Sequence, residues 1–281
     1  MSRNKGKSKL SELFSSAETI IIRKDISQFW SNGSTRVLMI IVPLFLLVVI
    51  PTIYIAAICF MPAVRSGEAY QALRTFLPDH AASLDYRQML FYAFTTYVSP
   101  MLFLTVPIMC SITSASSAFV SEKENGTLET LILTSIDAKT IFRSKVSGCF
   151  LTSLMISAVS FLVFFITATV GGVILSAAFF INLEWIIIAF ILAPSVTFFG
   201  VVFSTLIMSK VRSTGEALQT MGYLLVPFIL LFLLQFSAVI KINALSLLII
   251  SILIIIADVL IFNLSVRRFN AEKLFSKTME E

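Results

Sequence analysis

Charged residues are scarce in this sequence, at 13% of 281 residues, while 57% are hydrophobic. A soluble domain carries about 25% charged residues, and no soluble fold of this length has interior enough to hide so much apolar surface. The solvent for most of the chain is therefore expected to be lipid. Histidine is reduced to a single residue, His80, and cysteine to Cys59, Cys110 and Cys149. One histidine excludes a His pair on zinc. The cysteines lie far apart, in or beside apolar stretches, and form neither a disulfide framework nor a metal-ligand spacing; they read as buried free thiols. No G-x-x-x-x-G-K-[ST] loop occurs, so the chain has no phosphate loop with which to bind ATP. It also lacks the membrane-embedded carboxylate pair that an intramembrane protease needs. Catalytic residues, a metal and a nucleic-acid surface are all expected to be absent. No cleavable signal peptide is expected, because the first long apolar run starts only near Arg36 and is too long for a signal core.

What the chain does contain is apolar runs. Six are drawn, at about 36–60, 90–120, 146–170, 183–208, 218–240 and 243–266, each long enough to cross a ~30 Å hydrocarbon core as a helix. The expected fold class is an all-α membrane protein with six transmembrane helices. The second run is longer than a crossing needs, and Pro100 and Pro107 offer it places to bend, as Pro43, Pro194 and Pro227 do elsewhere. Between the third and fourth runs Gly171, Gly172, Asn182 and Glu184 are the only interruptions. The 26 Phe suit helices that face acyl chains.

Orientation follows from the basic residues. Seventeen Lys and Arg fall in the N-terminal segment, the second-to-third and fourth-to-fifth connections and the C-terminal tail; only Arg65, Arg74, Arg87 and Lys241 fall on the other side. Both termini are thus expected in the cytoplasm, and an odd number of spans would break the pattern. Three regions result: 1–35, a cytoplasmic N-terminal segment with an interfacial helix; 36–266, the membrane domain, with an external segment 61–89 and a connection 121–145; and 267–281, a cytoplasmic tail.

Before the first run, Leu10, Leu13, Phe14, Ala17 and Ile21 repeat at helical spacing, and Ile22, Ile26, Phe29 and Trp30 form a second stripe. This predicts an amphipathic helix lying in the interface, ended by Asn32-Gly33-Ser34. In the external segment a short helix is expected over Glu68 to Leu77, stopped by Pro78-Asp79, with Ser83 capping the helix that leads into the second run. Inside the runs, Asp258 stands out, about two turns from the end of the last one. An intramembrane carboxylate costs at least ~2.5 kcal/mol on insertion scales, so it must face a partner or water. It reads either as a group on a transport or proton-coupled pathway or as a structural hydrogen bond, with Asn263 or a backbone group as partner.

The connection 121–145 is the most informative segment. Gly126 can end the second helix in a left-handed conformation. Thr127 can cap a new short helix with Glu129 in its first turn, and Leu128, Leu131 and Ile132 give that helix an apolar face. A short rigid helix between two long spans, with acidic residues at its start, can receive force from a soluble partner.

The run Glu122-Lys-Glu-Asn-Gly-Thr-Leu-Glu129, followed by Leu131-Ile-Leu-Thr-Ser, resembles the E-K-E-x-G-T-x-E-x-L-L-x-T motif of type-2 ABC exporter permeases. The layout is similar too: an interfacial elbow helix, six spans and both termini inside. In that family the motif is the coupling helix that docks on an ATPase subunit, so the resemblance implies that Glu122, Glu124, Gly126, Thr127, Leu128, Glu129, Leu131 and Ile132 form that contact. Arg212, Ser213, Gly215 and Glu216 resemble the second cytoplasmic contact. The resemblance further implies export through the plasma membrane by a pair of permease chains, identical or related, with ATP and Mg held by a separate ATPase subunit and no cofactor in this chain. Many Phe and few polar groups suit an apolar or amphipathic cargo. Some members carry re-entrant helices between the last two spans; only about Lys241 to Ser246 joins them here. Two other readings stay open: a gradient-driven secondary transporter using Asp258, and a non-transporting membrane scaffold or sensor subunit.

Overall fold

The computed structural model describes residues 19, 20, 22–24, 26, 27, 33–61, 63, 65–77, 83–120, 122, 126, 138–177, 180–208, 215, 216, 219, 222, 226, 230 and 243–268. Every regular element among them is helical. Five of these helices are long and apolar enough to cross a membrane: α1 (Arg36–Cys59), α3 (Tyr86–Val120), α4 (Lys139–Ile174), α5 (Leu183–Ile207) and α6 (Ala244–Val266). A short helix, α2 (Glu68–Phe76), lies between the first two of them. The expected span 218–240 lies outside the described residues, apart from isolated positions.

The ends of α3 and α4 differ from those read off hydropathy. α3 begins at Tyr86 and α4 at Lys139, not at 90 and 146, and α4 runs on to Ile174. Hydropathy stops at charge, whereas a helix does not. Lys139, Arg143 and Lys145 all belong to α4, and Lys145 is 1% exposed because a carboxylate meets it. At 35 and 36 residues, α3 and α4 are each more than 50 Å long at about 1.5 Å per residue. Both outreach the ~30 Å apolar core of a bilayer.

Prolines explain the irregular turns. A π turn ends two residues before a proline in three of the long helices: Phe45–Val49 before Pro51, Phe94–Val98 before Pro100, and Ile188–Leu192 before Pro194. A proline ring collides with the carbonyl four residues back and supplies no N–H of its own. The residue before each of these prolines sends its N–H five residues back instead, Ile50 to Phe45, Ser99 to Phe94 and Ala193 to Ile188. The wider turn makes room for the ring without breaking the helix. Pro43 and Pro107 sit within α-helix; Pro227 lies outside the described residues.

α1, α4 and α5 pack on α3, and α6 packs chiefly on α5. Ser111 Oγ donates to Thr197 O of α5 at 2.9 Å, and Trp185 Nε1 of α5 donates to Thr95 O of α3 at 3.1 Å. These two bonds make α3 and α5 parallel. Gly200 is needed where they cross, since a Cβ there would lie 2.9 Å from Ser111 Cβ. Ser114 and Ser153 share a 3.0 Å hydrogen bond between α3 and α4. Such small-residue seams let helices approach closely in lipid, where there is no hydrophobic force to bring them together. The Phe262 ring of α6 lies 6.5 Å from Phe142, near the start of α4, and 5.8 Å from Phe198 on α5. α6 therefore runs parallel to α5, and Ile207 and Ala244 lie at opposite ends of the bundle.

Gly171 and Gly172, expected to interrupt the chain, are helical. Gly171 serves packing: a Cβ on it would meet Ile55 Cδ1 of α1 at 2.5 Å. The turn comes later. Ser176 adopts φ 50°, Ala177 N–H reaches Gly172 O at 2.9 Å and Ser176 N–H reaches Val173 O at 3.2 Å, which is a Schellman closure with serine in the left-handed position. Asn182 then caps α5, its Oδ1 accepting from Trp185 N–H at 3.0 Å.

At the same end of the bundle α3 is capped by Asp85, not by the expected Ser83: Asp85 N–H donates to Gln88 Oε1 at 3.1 Å, as in a capping box. Gln88 reaches on with its Nε2 to Ser176 O at 3.0 Å, tying α3 to the end of α4. Arg65 hydrogen-bonds Asp85, which holds its guanidinium more firmly protonated than usual. Tyr70, Leu77 and Met89 form a small separate core that fastens α2 onto the first turns of α3. The described residues between α1 and α3 thus pack as a small cap on this end of the bundle.

Candidate functional site

The motif segment starts where α3 ends. Ser116–Val120 closes α3 in a fourth π turn, this one without a proline. Glu122 follows, 2% exposed, and Gly126 adopts φ +66°. Glycine adopts that left-handed conformation without steric cost.

Glu122 does not face outward. Its Oε2 lies 2.7 Å from Lys145 Nζ of α4, and its Oε1 accepts a 3.1 Å hydrogen bond from Lys24 Nζ of the N-terminal segment. Lys145 is 1% exposed; its Nζ also donates to Ala118 O at 2.9 Å, inside the π turn, and stands 5.6 Å from the centre of the Phe119 ring. One carboxylate thus joins three parts of the chain: the N-terminal segment, the end of α3 and the start of α4. The two bonds differ in kind. Lys145 and Glu122 are both out of water, and losing one partner of such a pair costs about 3–5 kcal/mol. Lys24 is 54% exposed, so its link is worth about 0–1 kcal/mol and weakens with salt.

In the N-terminal segment positions 19, 20, 22–24, 26 and 27 are helical, with Ile22 buried and Ile20, Arg23 and Lys24 exposed. The remainder of the expected interfacial helix lies outside the described residues.

Of the other expected contact residues, Glu124, Thr127, Leu128, Glu129, Leu131, Ile132, Arg212 and Ser213 lie outside the described residues. Gly215 and Glu216 are helical and exposed. Lys145 and Lys24 were not singled out by motif or spacing. The signal for Lys145 was a cation eight residues into a helix that continues as an apolar span, the kind of position at which a charge needs a partner.

Asp258, the intramembrane candidate, is on the buried stripe of α6 formed by Leu247, Ser251, Asp258 and Ser265, and is itself 3% exposed. Its Oδ1 has no hydrogen-bond partner among the described residues. Asn263, the expected partner, is exposed. Asp258 and the Glu122 cluster are separate features, and no group of three or more His, Cys, Asp or Glu among the described residues could hold a metal.

A rigid path leads away from the Glu122 cluster. Ala118 O ties the end of α3 to Lys145. Ser114, Cys149 and Ser153 continue the α3–α4 contact inward, with Ser114 Oγ 3.5 Å from Cys149 O. The Ser111–Thr197 bond then carries it to α5.

No protein-family model and no characterised protein sequence matches this chain.

Proposed function

We propose that this chain is the membrane-spanning permease subunit of an ATP-driven exporter, resembling the type-2 ABC exporter permeases. One observation carries the reading: the run Glu122 to Glu129 with its first residue seated between Lys145 and Lys24 at the end of α3. A solvated loop with a charge run has no reason to sink its first carboxylate into a protein interior. A segment that must pass force into two long helices does.

On this reading the basic ends of the helices face the cytoplasm of a plasma-membrane protein, and residues 218–240 supply the sixth span. Two permease chains, identical or related, pair and line the path. Two ATPase subunits, which bind the ATP and Mg, dock below on Thr127 to Thr134 and on the connection containing Arg212, Ser213, Gly215 and Glu216. ATP binding closes the ATPase pair. The short helix after Gly126 takes up that motion, and α3 and α4 move with it as a rigid pair because Lys145 holds Glu122. This chain does no covalent chemistry. It contributes a different affinity for cargo in each of two states.

Reconstitution in proteoliposomes tests the proposal. The chain alone is expected to leave ATP intact, and a separate phosphate-loop subunit is expected to bind it and to supply the hydrolysis. Hydrolysis by the purified chain itself, or failure of any such subunit to bind, overturns the reading.

A further inference from the structure

Asp258 is the one acidic residue of α6, eight residues before the end of that span at Val266. It is 3% exposed and its Oδ1 has no hydrogen-bond partner among the described residues. The residues one turn to either side on its face, Ile254 and Ile261, pack into the main core. The carboxyl group is therefore inside the helix–helix packing, not turned toward lipid. α6 packs chiefly on α5 and more lightly on α4. The depth of Asp258 follows from the Phe198–Phe262 contact, with ring centroids 5.8 Å apart. Because α5 and α6 run parallel, one turn back from each ring lie Pro194 and Asp258, side by side in level.

Among the described residues no cation is paired with it. The only acidic or basic residue of α5 is Glu184, in the first turn, ten positions earlier than Pro194. On α4, Lys139 and Arg143 are exposed, Lys145 has Glu122 and Ala118 O for partners, and Cys149 is a buried neutral thiol. Arg267 and Arg268 are in the last turn of the same helix, more than two turns beyond Asp258. Residues 218–240, outside the described residues, contain Tyr223 as their only titratable group. A carboxylate whose Oδ1 has neither cation nor donor among the described residues is poorly sustained as an anion in apolar packing. A metal ion is no remedy, because a hard cation takes six or so oxygen ligands and no cluster of that kind exists among the described residues. A proton is the one cation that a single carboxyl group can hold by itself.

We propose that Asp258 is a proton-binding site whose occupancy is linked to the packing of α6 on α5. The carboxylate takes a proton from water as the two helices close and returns it to water as they part. The site makes the opening of this part of the bundle pH-dependent, whatever drives it. It does not rest on the exporter reading, and it stands or falls by a measurement that involves no ATPase.

The experiment is infrared spectroscopy of the full-length chain in lipid nanodiscs across a pH series. The wild type is expected to show a protonated-carboxyl C=O band at neutral pH that Asp258→Asn removes and Glu184→Gln leaves. Labelling aspartate with ¹³C must shift that band in the wild-type chain, which keeps the assignment testable if Asp258→Asn fails to fold. The linkage is read by holding α5 to α6: Phe198→Cys and Phe262→Cys joined by a short thiol cross-linker, with Cys59, Cys110 and Cys149 replaced by serine. The cross-link is expected to extend the band upward by about one pH unit, a tenfold change in proton occupancy. A wild-type chain without an aspartate-derived band at neutral pH overturns the site, and a band indifferent to the cross-link overturns the linkage.

Discussion

Lys145 and Glu122, 23 positions apart, form an ion pair of 2.7 Å with both side chains almost wholly out of water. The pair fixes the end of α3 to the first turns of α4, at the point where the motif segment leaves the bundle. Lys145→Met takes the buried cation away from the Glu122 carboxylate and is expected to destabilise the chain by about 3–5 kcal/mol. Combining it with Glu122→Gln is expected to recover most of that loss, because no uncompensated charge is left behind. Thermal unfolding in detergent of the two single variants and the double variant checks this; additive losses would show that the pair is not a unit.

Lys24 makes the second bond to the same carboxylate from a half-exposed position. Lys24→Ala is expected to cost about 0–1 kcal/mol, and the difference from wild type is expected to vanish in high salt. The same unfolding assay at two salt concentrations decides it.

Gly200 and Gly171 look alike in sequence and differ in what they touch. A Cβ at Gly200 meets Ser111 Cβ, at the root of a side chain held by two hydrogen bonds; one at Gly171 meets the far end of Ile55. Gly200→Ala is therefore expected to cost about 1–3 kcal/mol and to be relieved by Ser111→Gly, while Gly171→Ala is expected to cost less, since Ile55 can turn aside. Equal losses would contradict the close α3–α5 crossing.

Trp185 ties α5 to α3 through a single bond from Nε1 to Thr95 O at 3.1 Å, among the rings of Phe103, Phe161, Phe164 and Phe180. Trp185→Phe keeps an aromatic ring but leaves a buried carbonyl unpaired, at an expected cost of about 1–3 kcal/mol. Trp185 fluorescence gives a second check: Thr95 lies in a π turn beside Pro100, so Pro100→Ala is expected to change the emission of Trp185 by straightening that turn.

The apolar helices were legible because twenty consecutive apolar residues in a helix admit one interpretation. Three of the four π turns were half legible: the prolines were noted as bends, but that each would push a wide turn ahead of it depends on the helix continuing through, which packing decides. The start of α4 was misplaced because Lys139, Arg143 and Lys145 look like solvent-facing charges until Glu122 is known to cover one of them. Gly171 and Gly172 look like a turn for the same reason, since the residue that needs Gly171 to be small, Ile55, is more than a hundred positions away. Gly126 was legible, as a left-handed residue at a helix end is a local requirement. The inward aim of Glu122 was not, because motif residues are read as contacts with a partner unless a buried cation shows otherwise.

The central claim of the proposed function is that the segment after Gly126 receives force from a separate ATPase. The most direct measurement is ATP hydrolysis by the complex purified on the tagged full-length chain from its native membrane, for wild type and Glu129→Lys, with the unfolding temperature of each chain recorded alongside. The account predicts a phosphate-loop ATPase and its activity in the wild-type preparation, loss of both in the variant, and unchanged unfolding temperatures. A wild-type preparation without ATPase activity, or a variant that retains it in full, would contradict the account.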